Sequence, residues 1–406
     1  MQTRISDKYR DTPQGREADR ILRGCVHCGF CTATCPTYQL LGDELDGPRG
    51  RIYLIKQLLE GQPVSYKTQL HLDRCLTCRS CETTCPSGVQ YGRLVDIGRE
   101  LAEEEVTRNP LDRAMRVVLR KILPYPTRIG PLLSLGQLFK PLLPRGLGSQ
   151  VPRRQKPGAR PRNVQARKML VLEGCVQSVA TPATNAAAAR VLDRLGIELV
   201  NAAEAGCCGA VSHHLSAVEE GRDFMRRNID AWWPYIEAGT EAILVTASGC
   251  GAMVKDYGHV LKDDPDYAEK AARVSALAKD LSEVLRNEPL PKERLRPRVK
   301  KLAYHSPCTL QHGQQLAGVV EGILERAGFR LVPVADAHLC CGSAGTYSIL
   351  QSKLSRQLLA NKLAALQKGG PEVIATANIG CQMHLDSEAT VPVRHWIELL
   401  DEAFVD

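Results

Sequence analysis

Apolar positions along the 406-residue chain change period twice. Up to about residue 105 they recur at helical spacing. Residues 18–22 begin a short helix. Pro48 suits the first turn of another, whose face is Ile52, Ile55, Leu58 and Leu59. Residues 88–106 read as a third. Between 106 and 167 the pattern is basic and amphipathic. Residues 111–123 form one such helix, and Leu132, Leu135, Leu138, Phe139, Leu142 and Leu143 recur at helical spacing in a Pro- and Gly-punctuated stretch. Beyond 168 short apolar runs alternate with helices. Residues 169–172 are a strand, Thr181, Pro182 and Gly196 cap, open and stop a helix, and 197–200 are a second strand. The same order returns as a strand over 301–305, a helix over 313–327 stopped by Gly328, and a strand over 329–332.

Alternation of this kind predicts parallel α/β layers. It also marks an internal repeat. Cys175, Cys207, Cys208 and Cys250 reappear as Cys308, Cys340, Cys341 and Cys381, displaced by 133, 133, 133 and 131 residues. Each half carries C-C-G, and each has an apolar strand, A-I-L-V-T-A-S-G-C or V-I-A-T-A-N-I-G-C, running into its last cysteine. These cysteines fall beyond the carboxyl ends of strands, where open α/β sheets bind ligands. The expected fold is multidomain α+β. A small α-helical domain over 1–105 is followed by a basic amphipathic linker over 106–167. Two α/β halves, 168–290 and 291–406, are related by an approximate twofold.

Composition is ordinary for a globular protein, with 44% hydrophobic and 24% charged residues. A net charge of +8 with only 5% aromatic residues argues against nucleic acid as a partner. The opening residues hold no apolar leader, and no run nears the length of a membrane-spanning helix, so a cytoplasmic setting is expected. Residues 145–168 carry eight basic residues and no acidic one. With the amphipathic stretches before them they suit an anionic membrane surface, or pack as a linker against a neighbouring domain or partner subunit.

The sixteen cysteines form two groups of eight. In the first, C-V-H-C-G-F-C-T-A-T-C-P at residues 25–36 has the spacing C-x2-C-x2-C-x3-C-P, and it recurs fifty residues later at 75–86. This is the bacterial ferredoxin run, in which the fourth cysteine ligates the other of two 4Fe-4S clusters. Cys25, Cys28, Cys31 and Cys85 are therefore assigned to one cluster, and Cys75, Cys78, Cys81 and Cys35 to the other. Zinc sites use paired C-x2-C units separated by a long gap, a different pattern. Arg49 and Arg51 are expected to be solvated charges at a helix start; the alternative is that they sit near a cluster and raise its potential.

The C-C-G repeat resembles the cysteine-rich domain of heterodisulfide reductases, where a closing C-x-x-C gives five thiolates for a noncubane cluster. Here the last elements read Cys250-Gly-Ala-Met253 and Cys381-Gln-Met-His384, so each half lacks the fifth cysteine. An ordinary 4Fe-4S cluster, a zinc ion and a purely structural site all suit four thiols. His384 could complete the second set, and His305 and His312 flank Cys308.

Over essentially its whole length, including L-D-R-C-L-T-C-R-S-C-E-T-T-C-P-S-G-V-Q-Y-G and both C-C-G segments, the chain resembles the iron–sulfur subunits of bacterial glycolate oxidase. The lactate-utilisation and anaerobic glycerol-3-phosphate dehydrogenase subunits share the domain order and are the alternative, as is a heterodisulfide-type reductase. The resemblance implies a non-flavin subunit of a glycolate dehydrogenase. It would carry electrons singly from flavin-containing partners that oxidise glycolate to glyoxylate towards a quinone or other acceptor, peripherally at the inner membrane. The absence of a G-x-G-x-x-G fingerprint agrees with a carrier that has no catalytic residues of its own.

Overall fold

The computed structural model describes residues 1–142, 144, 148–299 and 301–405. Leu143 and Arg145 of the basic, leucine-rich stretch lie outside them. The chain packs as two compact units, one of Met1–Val117 with His338–Lys362, the other of Val118–Ala337 with Leu363–Asp406.

The first unit is helical. Its main helices are Pro13–Gly24, Pro48–Leu59, Tyr66–Asp73 and Tyr91–Glu105. Proline at the first position fixes φ where no amide partner is needed, and the Thr12 hydroxyl accepts from the Gly15 N–H at 3.0 Å. One stripe of each helix meets in a single core that includes Leu22, Ile55, Leu59, Leu72, Leu94 and Val95. Glycine at 98 permits a close approach of two of these helices, because a Cβ there would stand 2.5 Å from the Ile55 side chain. Within the expected linker two helices form, Pro110–Ile122, which runs across the boundary at Val117, and Pro126–Phe139, which belongs to the second unit. Their apolar stripes are largely bare, with Leu111, Leu132, Leu135, Leu138, Phe139 and Leu142 all exposed.

The second unit holds two parallel four-stranded sheets. In the first, β1 (Arg167–Leu172), β2 (Ile197–Asn201), β3 (Ile243–Val245) and β4 (Ala278–Asp280) run in the order β2-β1-β3-β4. In the second, β5 (Lys301–His305), β6 (Arg330–Leu331), β7 (Val373–Thr376) and β8 (Val393–His395) run in the order β6-β5-β7-β8. The cysteine repeat is thus a repeat of topology, and the fold is a helical ferredoxin-type part followed by two α/β halves. A shared core joins the halves, with Met169, Leu192 and Leu244 packing in one cluster with Leu302, Ile323 and Trp396. Buried polar bonds cross it. The His395 ring lies 2.9 Å from the Thr246 carbonyl through Nε2, and the Thr184 hydroxyl donates to Glu398 at 2.7 Å.

Three local expectations need correction. The helix expected over 313–327 is only Val319–Arg326: a wide turn, Thr309–Gly313, comes first, and Gln315 at φ +57° and Gly318 at φ +76° break the chain between them. The apolar runs before Cys250 and Cys381 stop being strand at Val245 and Thr376, so each cysteine sits in the first turn of a following helix, Ser248–Lys255 or Ile379–Asp386. Strands β4 and β8, three residues each, add to the expected pattern.

Candidate metal centres

The two ferredoxin-type loops fold alike. His27 and Gly29 have φ of +57° and +87°, and their counterparts fifty residues on, Thr77 and Arg79, have +50° and +58°. Left-handed residues at these places turn backbone N–H groups inward, the concave arrangement that holds anions and iron–sulfur sites. The Thr77 N–H accordingly points to Cys75 Sγ at 3.4 Å. A β-branched residue at positive φ is strained by ~1–3 kcal/mol and persists only where neighbours over-determine it. Arg99 supplies that restraint, donating to the Thr77 hydroxyl at 2.9 Å and to the carbonyls of Leu72 and Cys75 at 2.9 and 2.6 Å. The loops meet where equivalent threonines touch, Thr84 Oγ1 lying 3.3 Å from Thr34 Oγ1. Each run's fourth cysteine follows directly, so it leaves its own loop towards the other.

Two hollows result. Cys25, Cys28, Cys31 and Cys85, with Cys81, line one, and Cys35, Cys75, Cys78 and Cys81 line the other. Each is lined by cysteines of both runs, and the fourth cysteine of each run lies in the hollow of its twin. Burial, with Cys25 nearby, pushes the Cys31 thiol up to about 11, and burial with Cys78 alongside also raises Cys81. Thiols this reluctant to ionise together become thiolates when a cationic core displaces their protons. The residues fit the clusters.

The surroundings of the two sites differ. At the first, Cys28 is exposed, and Val26 and Phe30 on the same wall are 68% and 60% exposed. At the second, Cys35, Cys75 and Cys81 are buried and Arg51, 1% exposed, forms part of the wall. The expectation that Arg51 is a solvated charge is therefore overturned; Arg49, half-exposed and paired with Glu44 at 2.6 Å, meets it better. The Arg51 Nε donates to the His71 carbonyl at 2.7 Å and Nη2 to Thr37 Oγ1 at 3.1 Å. Burial opposes its charge, but Tyr91, Cys75, Cys35 and Asp46 outweigh burial and keep the guanidinium ionised. Asp46, fully buried, is matched chiefly elsewhere, by Arg74 at 2.8 Å and His71 at 3.0 Å against 3.5 Å for Arg51. The Tyr91 hydroxyl donates to Cys75 Sγ at 3.7 Å.

In the first α/β half, Cys175 follows β1, Cys207 and Cys208 follow β2, and Cys250 follows β3. Their thiols form a chain, Cys175 to Cys207 to Cys208 to Cys250. The bond to Cys207, then burial, raises the Cys175 thiol well above its ordinary value. Gly209 closes C-C-G because nothing larger fits. Its φ is +87°, and a Cβ would lie 2.7 Å from the Gly221 carbonyl oxygen. Asn228 donates to the Cys207 carbonyl at 2.9 Å and Tyr257 to the Cys208 carbonyl at 2.9 Å, holding the pair from behind. Met253 is buried where the C-x-x-C pattern would bring a fifth thiol.

In the second half Gly342 repeats the geometry, at φ +89° with a Cβ 2.7 Å from the Ser355 carbonyl oxygen. Its N–H points to Cys340 Sγ at 3.4 Å. Cys340 and Cys341 fold with the first unit, where the buried Tyr347 feels Arg51, Cys75 and Cys340. Cys308 and Cys381 belong to the second unit, and Asn378 Nδ2 reaches Cys381 Sγ at 3.5 Å. His305 and His312 are buried beside Cys308, and His384 is half-buried on the helix of Cys381.

Comparison with known proteins agrees with this layout. Residues 21–89 match the 4Fe-4S dicluster domain, and residues 169–255 and 302–386 each match the CCG cysteine-rich domain. The chain is 59% identical over 404 residues to the glycolate oxidase iron-sulfur subunit of Escherichia coli strain K12, covering 99% of both. It is 31% identical over 94% of both chains to the probable glycolate oxidase iron-sulfur subunit of Bacillus subtilis strain 168. A lactate utilization protein of Bacillus licheniformis is 27% identical over 224 residues, which cover 53% of this chain and 91% of its own length. No helix among the described residues is long and apolar enough to cross a membrane. With a dicluster segment, a doubled cysteine-rich domain and near end-to-end identity, this chain belongs to the glycolate oxidase iron–sulfur subunit family.

Proposed function

We propose that the chain relays electrons in a glycolate-oxidising complex, from a flavin-containing catalytic partner towards a quinone-type acceptor. Cys25, Cys28, Cys31 and Cys85 would hold one 4Fe-4S cluster, and Cys35, Cys75, Cys78 and Cys81 the other. One observation carries the reading: the fourth cysteine of each run lines the hollow walled by the first three of its twin, Cys85 beside Cys25, Cys28 and Cys31, and Cys35 beside Cys75, Cys78 and Cys81. Such clusters accept and release one electron at a time, which divides a flavin's two-electron load. The chain's own residues fix sulfur positions, bury Cys35, Cys75 and Cys81 at the second site and leave Cys28 exposed at the first. Replacing Cys28 or Cys78 with serine is expected to abolish quinone reduction by the assembled complex while glycolate still bleaches the flavin. Loss of flavin bleaching in an intact complex refutes the division of labour.

The four thiols chained in the first α/β half favour a further metal there, with Cys175, Cys207, Cys208 and Cys250 as its ligands. Iron and zinc content decides the metal: more than eight irons per chain supports an additional cluster, whereas eight irons with zinc supports a structural ion. The exposed leucines of Pro126–Phe139, with basic residues on either side, favour peripheral attachment to an anionic membrane on the cytoplasmic face.

A further inference from the structure

We propose that the two clusters are unequal, and that Arg51 with Tyr91 sets the Cys35/Cys75/Cys78/Cys81 site at the higher reduction potential, making it the place where an electron comes to rest. This rests on the two-cluster reading above and adds an order to it. Reduction puts one more negative charge on a site whose ligands are already four thiolates. A fixed positive charge in a poorly solvated wall favours that state, as does a hydrogen bond to a ligand sulfur. Both features converge on the second site. Arg51 is 1% exposed and cannot swing away, since Nε is tied to the His71 carbonyl and Nη2 to Thr37 Oγ1.

Its carboxylate partner, at 3.5 Å, is shared. Asp46 is the nearest carboxylate, but Arg74 and His71 approach it more closely than Arg51 does. The Thr37 hydroxyl gives its hydrogen to the Asp46 carbonyl at 2.7 Å, so it accepts from Arg51 and orients it. Tyr91 supplies the sulfur bond, its hydroxyl directed at Cys75. Arg49, the arginine that lines the first hollow, is 39% exposed at its side chain and engaged by Glu44, so water and a carboxylate both screen it. An electron entering from the partner's reduced flavin at the open first site therefore moves downhill, oxidising that site as it reduces the buried one. Arg51 acts here as a positioning residue for charge.

The test is a potentiometric titration of the anaerobically purified chain followed by low-temperature EPR, for the natural protein and for Arg51→Met, Arg51→Lys and Tyr91→Phe. Two separate midpoints are expected. The higher should fall in Arg51→Met by at least a tenfold change in its reduction equilibrium, 59 mV for one electron. It should fall less in Tyr91→Phe and hold nearly constant in Arg51→Lys, while the lower midpoint stays fixed throughout. Unmoved midpoints, or movement of the lower one, in variants that keep eight irons and eight sulfides overturns the inference and leaves the two-cluster reading standing. If Arg51→Met fails to hold iron, Tyr91→Phe and Arg51→Lys decide by the same rule. A natural protein with no iron–sulfur signal refutes the underlying reading itself.

Discussion

The glycine of C-C-G gives a prediction that separates two kinds of constraint. At Gly209 an alanine must adopt φ +87°, and its Cβ must also stand 2.7 Å from the backbone oxygen of Gly221. Left-handed backbone costs an L-residue ~1–2 kcal/mol. Overpacking against backbone that cannot rotate away adds ~1–3 kcal/mol. Gly196 is an internal control, because its φ of +76° imposes the first cost while nothing lies within 4 Å of the added methyl. Gly196→Ala should therefore lose ~1 kcal/mol and Gly209→Ala ~3 kcal/mol. For a unit of this size the difference is several degrees in Tm by calorimetry of the whole chain. Gly209→Ala should also lower whatever metal the first C-C-G half retains, since the shift begins one residue from Cys208. Equal melting temperatures for the two variants would refute the claim that close backbone approach explains the motif.

Other consequences are open to direct measurement. His395 is held down to about 4 from 6.5 by burial, with Nε2 at the Thr246 carbonyl and Nδ1 accepting from Ile397 N–H. A lowered histidine favours the fold above its unfolded value, so stability falls as pH drops from 6.5 towards 4, by about 2 kcal/mol between pH 7 and 5. Asp280, raised from 3.8 to about 6 by burial, works the other way and regains about 1 kcal/mol over that interval. Asp280→Asn, which keeps the acceptor for Ser282, should be more stable at pH 7 and steepen the acid loss in thermal melts at pH 5, 6 and 7. Arg108 is buried among Asp73, Glu103 and Asp112, so Arg108→Ala should destabilise the first unit by about 2–3 kcal/mol, read as a lower melting temperature. Leu135→Glu with Leu138→Glu should weaken sedimentation with phosphatidylglycerol vesicles at least tenfold without altering iron content.

Much of this architecture is legible in the sequence because cysteine spacing and strand period are local. The fifty-residue displacement marks the two runs as twins, and their loops share left-handed residues at equivalent places, while the strand at Lys301–His305 falls where its apolar run stands. Burial of a charge is not local. Arg51 opens a polar stretch of helix, and only the approach of Tyr66–Asp73 and the Asp46 turn encloses it. The membership of Cys340 and Cys341 in the first unit is equally invisible, since repeat spacing pairs them with Cys207 and Cys208 but says nothing of what they fold against. Strands β4 and β8 are too short for their period to register, and the break before Val319 depends on positive φ at Gln315, a residue with no turn signature of its own. Arg99, Asn228 and Tyr257 act by holding carbonyls, which leaves no motif to read.

The pairing of cysteines across loops is tested most directly by single substitutions read through EPR of the reduced chain. Cys31→Ser and Cys85→Ser should perturb one and the same cluster signal, and Cys81→Ser and Cys35→Ser the other. If instead Cys31 and Cys35 share a signal while Cys81 and Cys85 share the second, each run closes on itself and the crossed arrangement is wrong.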